Sequence, residues 1–171
     1  VYLGARPVFE KTANKPGATR GEKIEHWTRF MRTVGICRIV SLLEEEELAY
    51  YDGDMKEILA GLGWDVEHRH LQCSLYTENA VNTIREALGR AKLHEEKVVV
   101  RCNWGKARAT LVGALWLHDQ YNATTNVALK TVQTFGASEG RERPGTMAQL
   151  RKFIDDDTLA EIEPDKEKDS K

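Results

Sequence analysis

Residues 95–122, EEKVVVRCNWGKARATLVGALWLHDQYN, constrain the fold more than any other part of the chain. Val98, Val99 and Val100 follow one another with no polar residue between them, so both faces of their strand must be covered, as in a parallel sheet with helices on each side. Cys102 ends the strand, a short polar loop follows, and ATLVGALWLHDQYN is apolar enough to pack as a helix against the same sheet. The alternation recurs upstream. VYLGARP reads as a short strand, and Ile24, Trp27, Phe30 and Met31 share one side of a helix ending near Gly35. CRIVSLL is a β-branched strand, EEEELAYY starts a helix whose glutamates complement the dipole, and DMKEILAGL is another short helix. WDVEHRHL reads as a strand, and TENAVNTIREALGRAKLHEE as an amphipathic helix capped by Thr77, with Ala80, Ile84, Leu88 and Ala91 inward. With TTNVALKTVQTFG and GTMAQLRKFI, the pattern predicts an α/β fold: a central, mainly parallel sheet flanked by helices and a helical C-terminal third.

At 171 residues, 41% of them hydrophobic, the chain can bury one core, and no linker divides it, so residues 1–154 read as one domain. Residues 155–171 hold eight acidic side chains against three lysines, a balance of −5 that leaves +3 for the preceding 154 residues. They read as an acidic, flexible tail. A net charge of −2 gives no whole-molecule attraction to nucleic acid, and no run of about 18 apolar residues suggests a membrane span. Cys37, Cys73 and Cys102 match neither a disulfide framework nor a zinc pattern, and no basic-then-apolar leader is present, which together point to the cytoplasm.

The loop after the buried strand is where open α/β sheets place ligands. Residues Asn103, Trp104, Gly105, Lys106, Ala107 and Arg108 can turn backbone N–H groups toward one spot, and the following helix adds about half a positive charge. A dianionic phosphate fits there. A cysteine ringed by such dipoles is expected to ionise below about 8.5 and become a nucleophile, while Arg108 offers a planar fork to two phosphate oxygens. Gly105 supplies the freedom for a tight turn.

VVVRCNWGKARAT resembles the His-Cys-x-x-Gly-x-x-Arg-Ser/Thr signature of the cysteine-dependent protein tyrosine phosphatases, especially the small dual-specificity-like members. VYLGARP, GICRIVSLLEEEEL, the strand ending EHRHL, and RPGTMAQLRKF fall in that family's order. The resemblance implies a protein tyrosine phosphatase-like fold and hydrolysis of phosphomonoesters, on phosphorylated protein or another phosphate ester, through a phosphocysteine on Cys102. It implies no cofactor and no metal. A catalytically weak pseudophosphatase that binds phosphorylated partners is the alternative. Cys-x-x-Gly-Lys-x-Arg also resembles inositol phosphate and phosphoinositide phosphatases, where Lys106 would suit a polyanion, and sulfur transfer from Cys102 is a third possibility.

Three positions depart from the signature. Arg101 stands where the family has His, and Ala109 where it has Ser/Thr, with Thr110 one place late. The family's general acid is an Asp about 30 residues before the cysteine, yet no aspartate lies between Asp65 and Asp119, and the corresponding loop reads QCSLYTE. Glu78 is the candidate acid, and Asp119 or Glu142 could fold back instead. Other candidates are His68 and His70 as metal ligands on one strand face, Cys73 as a redox partner of Cys102, and Lys11, Lys15, Arg20 and Lys23 as contacts to the rest of an anionic substrate. Trp104, Arg141 and Arg143 could border the pocket, Trp116 reads as core, and Gln149 could place water.

Overall fold

The structure is a computed structural model that describes residues 1–7 and 14–155. Four strands form one sheet: β1 (Tyr2–Ala5), β2 (Ile36–Ser41), β3 (His70–Gln72) and β4 (Lys97–Cys102), in the order β1-β4-β2-β3 with every pairing parallel. Eight helices are seen among the described residues: α1 (Gly21–Thr33), α2 (Glu45–Leu48), α3 (Met55–Gly61), α4 (Val66–Arg69), α5 (Ala80–Leu93), α6 (Ala107–Tyr121), α7 (Thr125–Ser138) and α8 (Met147–Asp155).

Strand alternation divides the core into two layers. Val98, Val100 and Cys102 face a cluster with Ile84 and Leu88 of α5, Leu111 and Leu115 of α6, Leu129 of α7 and Phe153 of α8. Val99 faces the other side, among Ile24 and Met31 of α1, Met55 and Leu59 of α3 and Trp64. Each valine of β4 is at most 2% exposed, so each contributes about 1.5 to 3 kcal/mol of burial. β4 lies between β1 and β2, which places its carboxyl end, Cys102, at the middle of the sheet's upper edge.

Three expectations are corrected. WDVEHRHL is not one strand: Asp65 accepts from the His68 backbone N–H at 3.2 Å and starts the one-turn helix α4, so only His70–Gln72 pair with β2. Thr77 does not cap α5, because its hydroxyl donates to the Ser74 carbonyl at 3.0 Å, and Asn79 enters the helix from the left-handed region at φ 62°. Phe30 turns outward from α1 and is 56% exposed. Lys11 and residues 156–171 of the expected tail lie outside the described residues, while Asp155 ends α8.

Candidate active site

Cys102 is 2% exposed, and the chain turns sharply after it. Gly105 makes the turn possible with φ +66°. A Cβ there would lie 2.5 Å from the Ala5 nitrogen and 2.6 Å from the Gly4 carbonyl carbon, so the loop is pressed against β1 at a point where only glycine fits. Arg6, just beyond β1, is buried. It donates from Nε to Asn103 Oδ1 at 2.6 Å and from Nη1 to Thr19 Oγ1 at 2.8 Å. Arg143 donates to the carbonyls of Gly105 and Leu3, and Lys106 Nζ meets Glu142 Oε2 at 3.0 Å.

The loop converges on sulfur. Backbone N–H groups of Ala109, Lys106 and Gly105 are directed at Cys102 Sγ, and the Arg108 guanidinium lies within electrostatic reach. The five donor hydrogens of Arg108 are divided in a definite way. Nη1 donates to the Leu42 carbonyl at 2.6 Å and Glu47 Oε2 at 2.7 Å, and Nη2 donates to Glu47 Oε1 at 2.6 Å. Among the described residues, the Nε–H and second Nη2–H have no partner. These two point the same way along one edge of the plane, the bidentate fork that fits two oxygens of a phosphate. Burial alone would lower the Arg108 pKa, but Glu47 overrides it and holds the guanidinium above its ordinary range, permanently charged.

The expectation of a sulfur ionised at neutral pH is not met. Cys102 sits in the apolar layer beside Val100 and Ala109, and this burial pushes its thiol above the ordinary value, outweighing the downward pull of Arg108 and the three amides. A second carboxyl shares the site. Glu44 Oε1 is 3.4 Å from Arg108 Nη1, and its Oε2 accepts from Ser74 Oγ at 2.6 Å. Burial raises the Glu44 pKa, opposed by Ser74 and Arg108.

No protein-family model and no curated protein matches the sequence. Solved structures do match. The chain resembles PTPMT1 in complex with PI(5)P at a TM-score of 0.60, with 15% identity over 91% of this chain and 90% of that one. It resembles kinase associated phosphatase carrying serine in place of its catalytic-site cysteine (0.59, 17%, 80% and 74%) and Tk-PTP in the active form (0.55, 20%, 81% and 87%). This is a dual-specificity phosphatase-like fold. A human tyrosine phosphatase-like serine/threonine/tyrosine-interacting protein shares it as well (0.57, 14%, 89% of each).

On this phosphatase-like fold the departures from the signature have a definite geometry. Ala109 is buried and carries no hydroxyl, and the Thr110 hydroxyl donates back along α6 to the Lys106 carbonyl at 3.0 Å, so it does not replace the missing Ser/Thr. Arg101 points to the opposite face of the sheet, stacked on Trp27 and Tyr51 at 5.2 and 5.8 Å. Nη1 donates to the Tyr51 hydroxyl, while Nε and Nη2 are buried without a partner among the described residues.

The remaining candidates disperse. Glu78 is exposed and precedes α5 rather than opening it. Asp119 pairs with Arg85 at 2.8 Å, on the flank formed by α5 and α6. Glu142 is at the loop's rim on Lys106. Cys73 is half-buried, donates to the Ser74 carbonyl, and has its thiol pushed up by burial. His68 binds Asp65 from α4 while His70 is in β3, so they share no strand face, and no group of three or more potential metal ligands occurs among the described residues. Gln149 and Thr146 form a capping box at the start of α8, which engages the Gln149 side chain. Lys15, Arg20 and Lys23 are exposed. Trp104, Arg141 and Arg143 line a cleft of about 690 Å³ with Trp27 and Lys106, whereas Trp116 is half-buried at the margin of the core.

Sequence reasoning missed Glu44, Glu47, Arg6 and the Leu42 carbonyl. The run Glu44–Glu47 was read for its dipole, and a capping box is indeed there: Glu47 accepts from the Glu44 N–H at 2.9 Å and Glu44 from the Glu47 N–H. The available signal was excess, since one cap does not require four adjacent carboxylates.

Proposed function

We propose that the chain binds phosphomonoesters in the loop from Cys102 to Arg108 and hydrolyses them slowly through a phosphocysteine on Cys102. The observation that carries this is the Nε/Nη2 edge of Arg108, unpartnered among the described residues, beside a sulfur to which three backbone N–H groups are directed. The amides of residues 103–108 and the Arg108 fork take the phosphate oxygens and hold their charge as it spreads in the transition state. Cys102 attacks phosphorus, the ester oxygen leaves with a proton, and water cleaves the S–P bond to free phosphate and restore the cysteine. Because burial raises the thiol, the reactive fraction is small near neutrality and the rate climbs with pH.

Specific observations favour a second reading, a phosphate-binding pseudophosphatase. The thiol is buried, Ala109 offers no hydroxyl, and Glu78 is exposed ahead of α5. The polyanion reading draws on the neighbour solved with PI(5)P, but here the Lys106 charge already faces Glu142. Hydrolysis of 4-nitrophenyl phosphate by the wild type, Cys102→Ser and Arg108→Ala separates these readings. A wild-type rate above that of Cys102→Ser supports the enzyme. Equal rates, with phosphopeptide binding that disappears in Arg108→Ala, leave the binding protein.

A further inference from the structure

Two consecutive N–H groups, those of Gly105 and Lys106, are directed at Cys102 Sγ, the arrangement of a backbone nest that receives an anion. A planar trans peptide carries its C=O and N–H on opposite sides, so the Lys106 N–H faces the sulfur only while the Gly105 carbonyl faces away from it. Glycine does not enforce that choice. Gly105 stands at φ +66° with no Cβ to oppose rotation of the following peptide, and the inverted peptide would turn a carbonyl oxygen toward the anion. We propose that Arg143 is a positioning residue of the cradle: by holding the Gly105 carbonyl outward, it keeps the Lys106 N–H turned in toward a phosphate at Cys102. The inference rests on the phosphate-binding reading above, which the enzyme and the pseudophosphatase share.

Arg143 is anchored at both ends. Nη1 donates to the Gly105 carbonyl and Nη2 to the Leu3 carbonyl at 3.1 Å, so one planar guanidinium bridges the loop and β1 and is fixed at two points. Its stem occupies room left by a glycine. Gly136 is buried in α7, and a Cβ there would overlap Arg143 Cγ and stand 2.9 Å from the Arg141 carbonyl oxygen. Glycine is a poor residue for a helix, and here it lets the arginine pass.

The electrostatics agree with this placement. Burial lowers the Arg143 pKa, the Cys102 sulfur opposes that shift, and Arg141 adds to it, so the guanidinium lies within reach of the sulfur's charge although a peptide stands between them. Because both terminal nitrogens already donate to backbone carbonyls, Arg143 acts through the loop rather than on the ester. Lys106 contributes in the same way by its N–H, since its Nζ is engaged by Glu142 at the rim.

The test follows the amides themselves. Sodium tungstate, a tetrahedral oxyanion, is titrated into the isotope-labelled full chain while the amide resonances of Gly105, Lys106 and Ala109 are recorded. In the wild type all three are expected to move together. Arg143→Met is expected to weaken tungstate binding about tenfold and, at saturation, to leave Gly105 and Ala109 moving while Lys106 is nearly still, because its peptide alone has lost its anchor. Gly136→Ala displaces the Arg143 stem without altering the guanidinium, and the same selective silence of Lys106 is expected there. Proportional loss of all three responses marks a general loosening of the loop and overturns the assignment, as does a wild-type Lys106 response in both variants. Failure of the phosphate-binding reading looks different: in the wild type none of the three amides responds to tungstate, and this inference falls with it.

Discussion

Removing the Glu47 carboxylate isolates what holds Arg108 in place. The pair is bidentate at 2.6 and 2.7 Å, and its side chains are 11% and 14% exposed, so solvent screens it little. With charge centres about 4 Å apart and an effective dielectric near 20, the attraction is about 4 kcal/mol. Glu47→Ala leaves the guanidinium buried with Glu44 as a weaker neighbour at 3.4 Å, and such broken pairs cost about 3 to 5 kcal/mol. A loss of about 3 kcal/mol is therefore expected in urea unfolding. Arg108→Met should be milder, because it removes the charge that needed neutralising, and the double variant should be more stable than the sum of the single losses predicts by about 2 kcal/mol. Tungstate or phosphate binding should weaken in Glu47→Ala even where the fold persists, since the Nε/Nη2 edge loses its fixed direction. A coupling energy below about 0.5 kcal/mol would refute the view that Glu47 sets the guanidinium's position.

Gly105→Ala combines a left-handed backbone with a Cβ driven into the Gly4–Ala5 backbone, so a loss of at least about 2 kcal/mol in chemical unfolding is expected together with loss of phosphate binding. His70, half-buried and held to about 4 against an ordinary 6.5 by desolvation and then by Arg101 and Lys56, should make the fold acid-sensitive. The unfolded chain takes up its proton first, so stability is complete above about pH 6.5 and falls by about 1.4 kcal/mol per pH unit down to about pH 4. His70→Leu should flatten that slope in unfolding titrations. Ala109→Ser would place a hydroxyl next to the N–H directed at Cys102 and is expected to raise turnover several-fold, whereas Thr110→Val, whose lost bond is internal to α6, should leave it within about twofold; steady-state rates on an aryl phosphate decide both.

The sheet was legible because its strands are buried on both faces. Unbroken Val98–Val100 admits no other placement, and the periodicity of Ala80, Ile84, Leu88 and Ala91 fixes the inner side of α5. His70–Gln72 was harder to bound, since Val66 and Leu71 are alike apolar while Asp65, a side-chain cap, decides where helix gives way to strand. At the site, Cys102, Gly105 and Arg108 could be named from spacing because neighbours in sequence stay neighbours in a tight loop. Glu44 and Glu47 could not, for they approach Arg108 across 64 and 61 positions, through a strand pairing whose register no local pattern announces. The state of the sulfur was misjudged for a related reason: dipoles can be counted along a loop, but the apolar layer beneath Cys102 comes from α5 to α8.

Gly105 touching the backbone of Gly4 and Ala5, with Arg6 holding Asn103 and Arg143 tied to both Leu3 and Gly105, gives β1 a mechanical duty beyond its four residues. Among the described residues it is an outermost strand, joined to the sheet through β4, and it serves as the back wall against which the anion-binding turn is moulded. Whatever peels that ribbon away would slacken the turn from behind, so the integrity of the pocket travels with the first half-dozen residues.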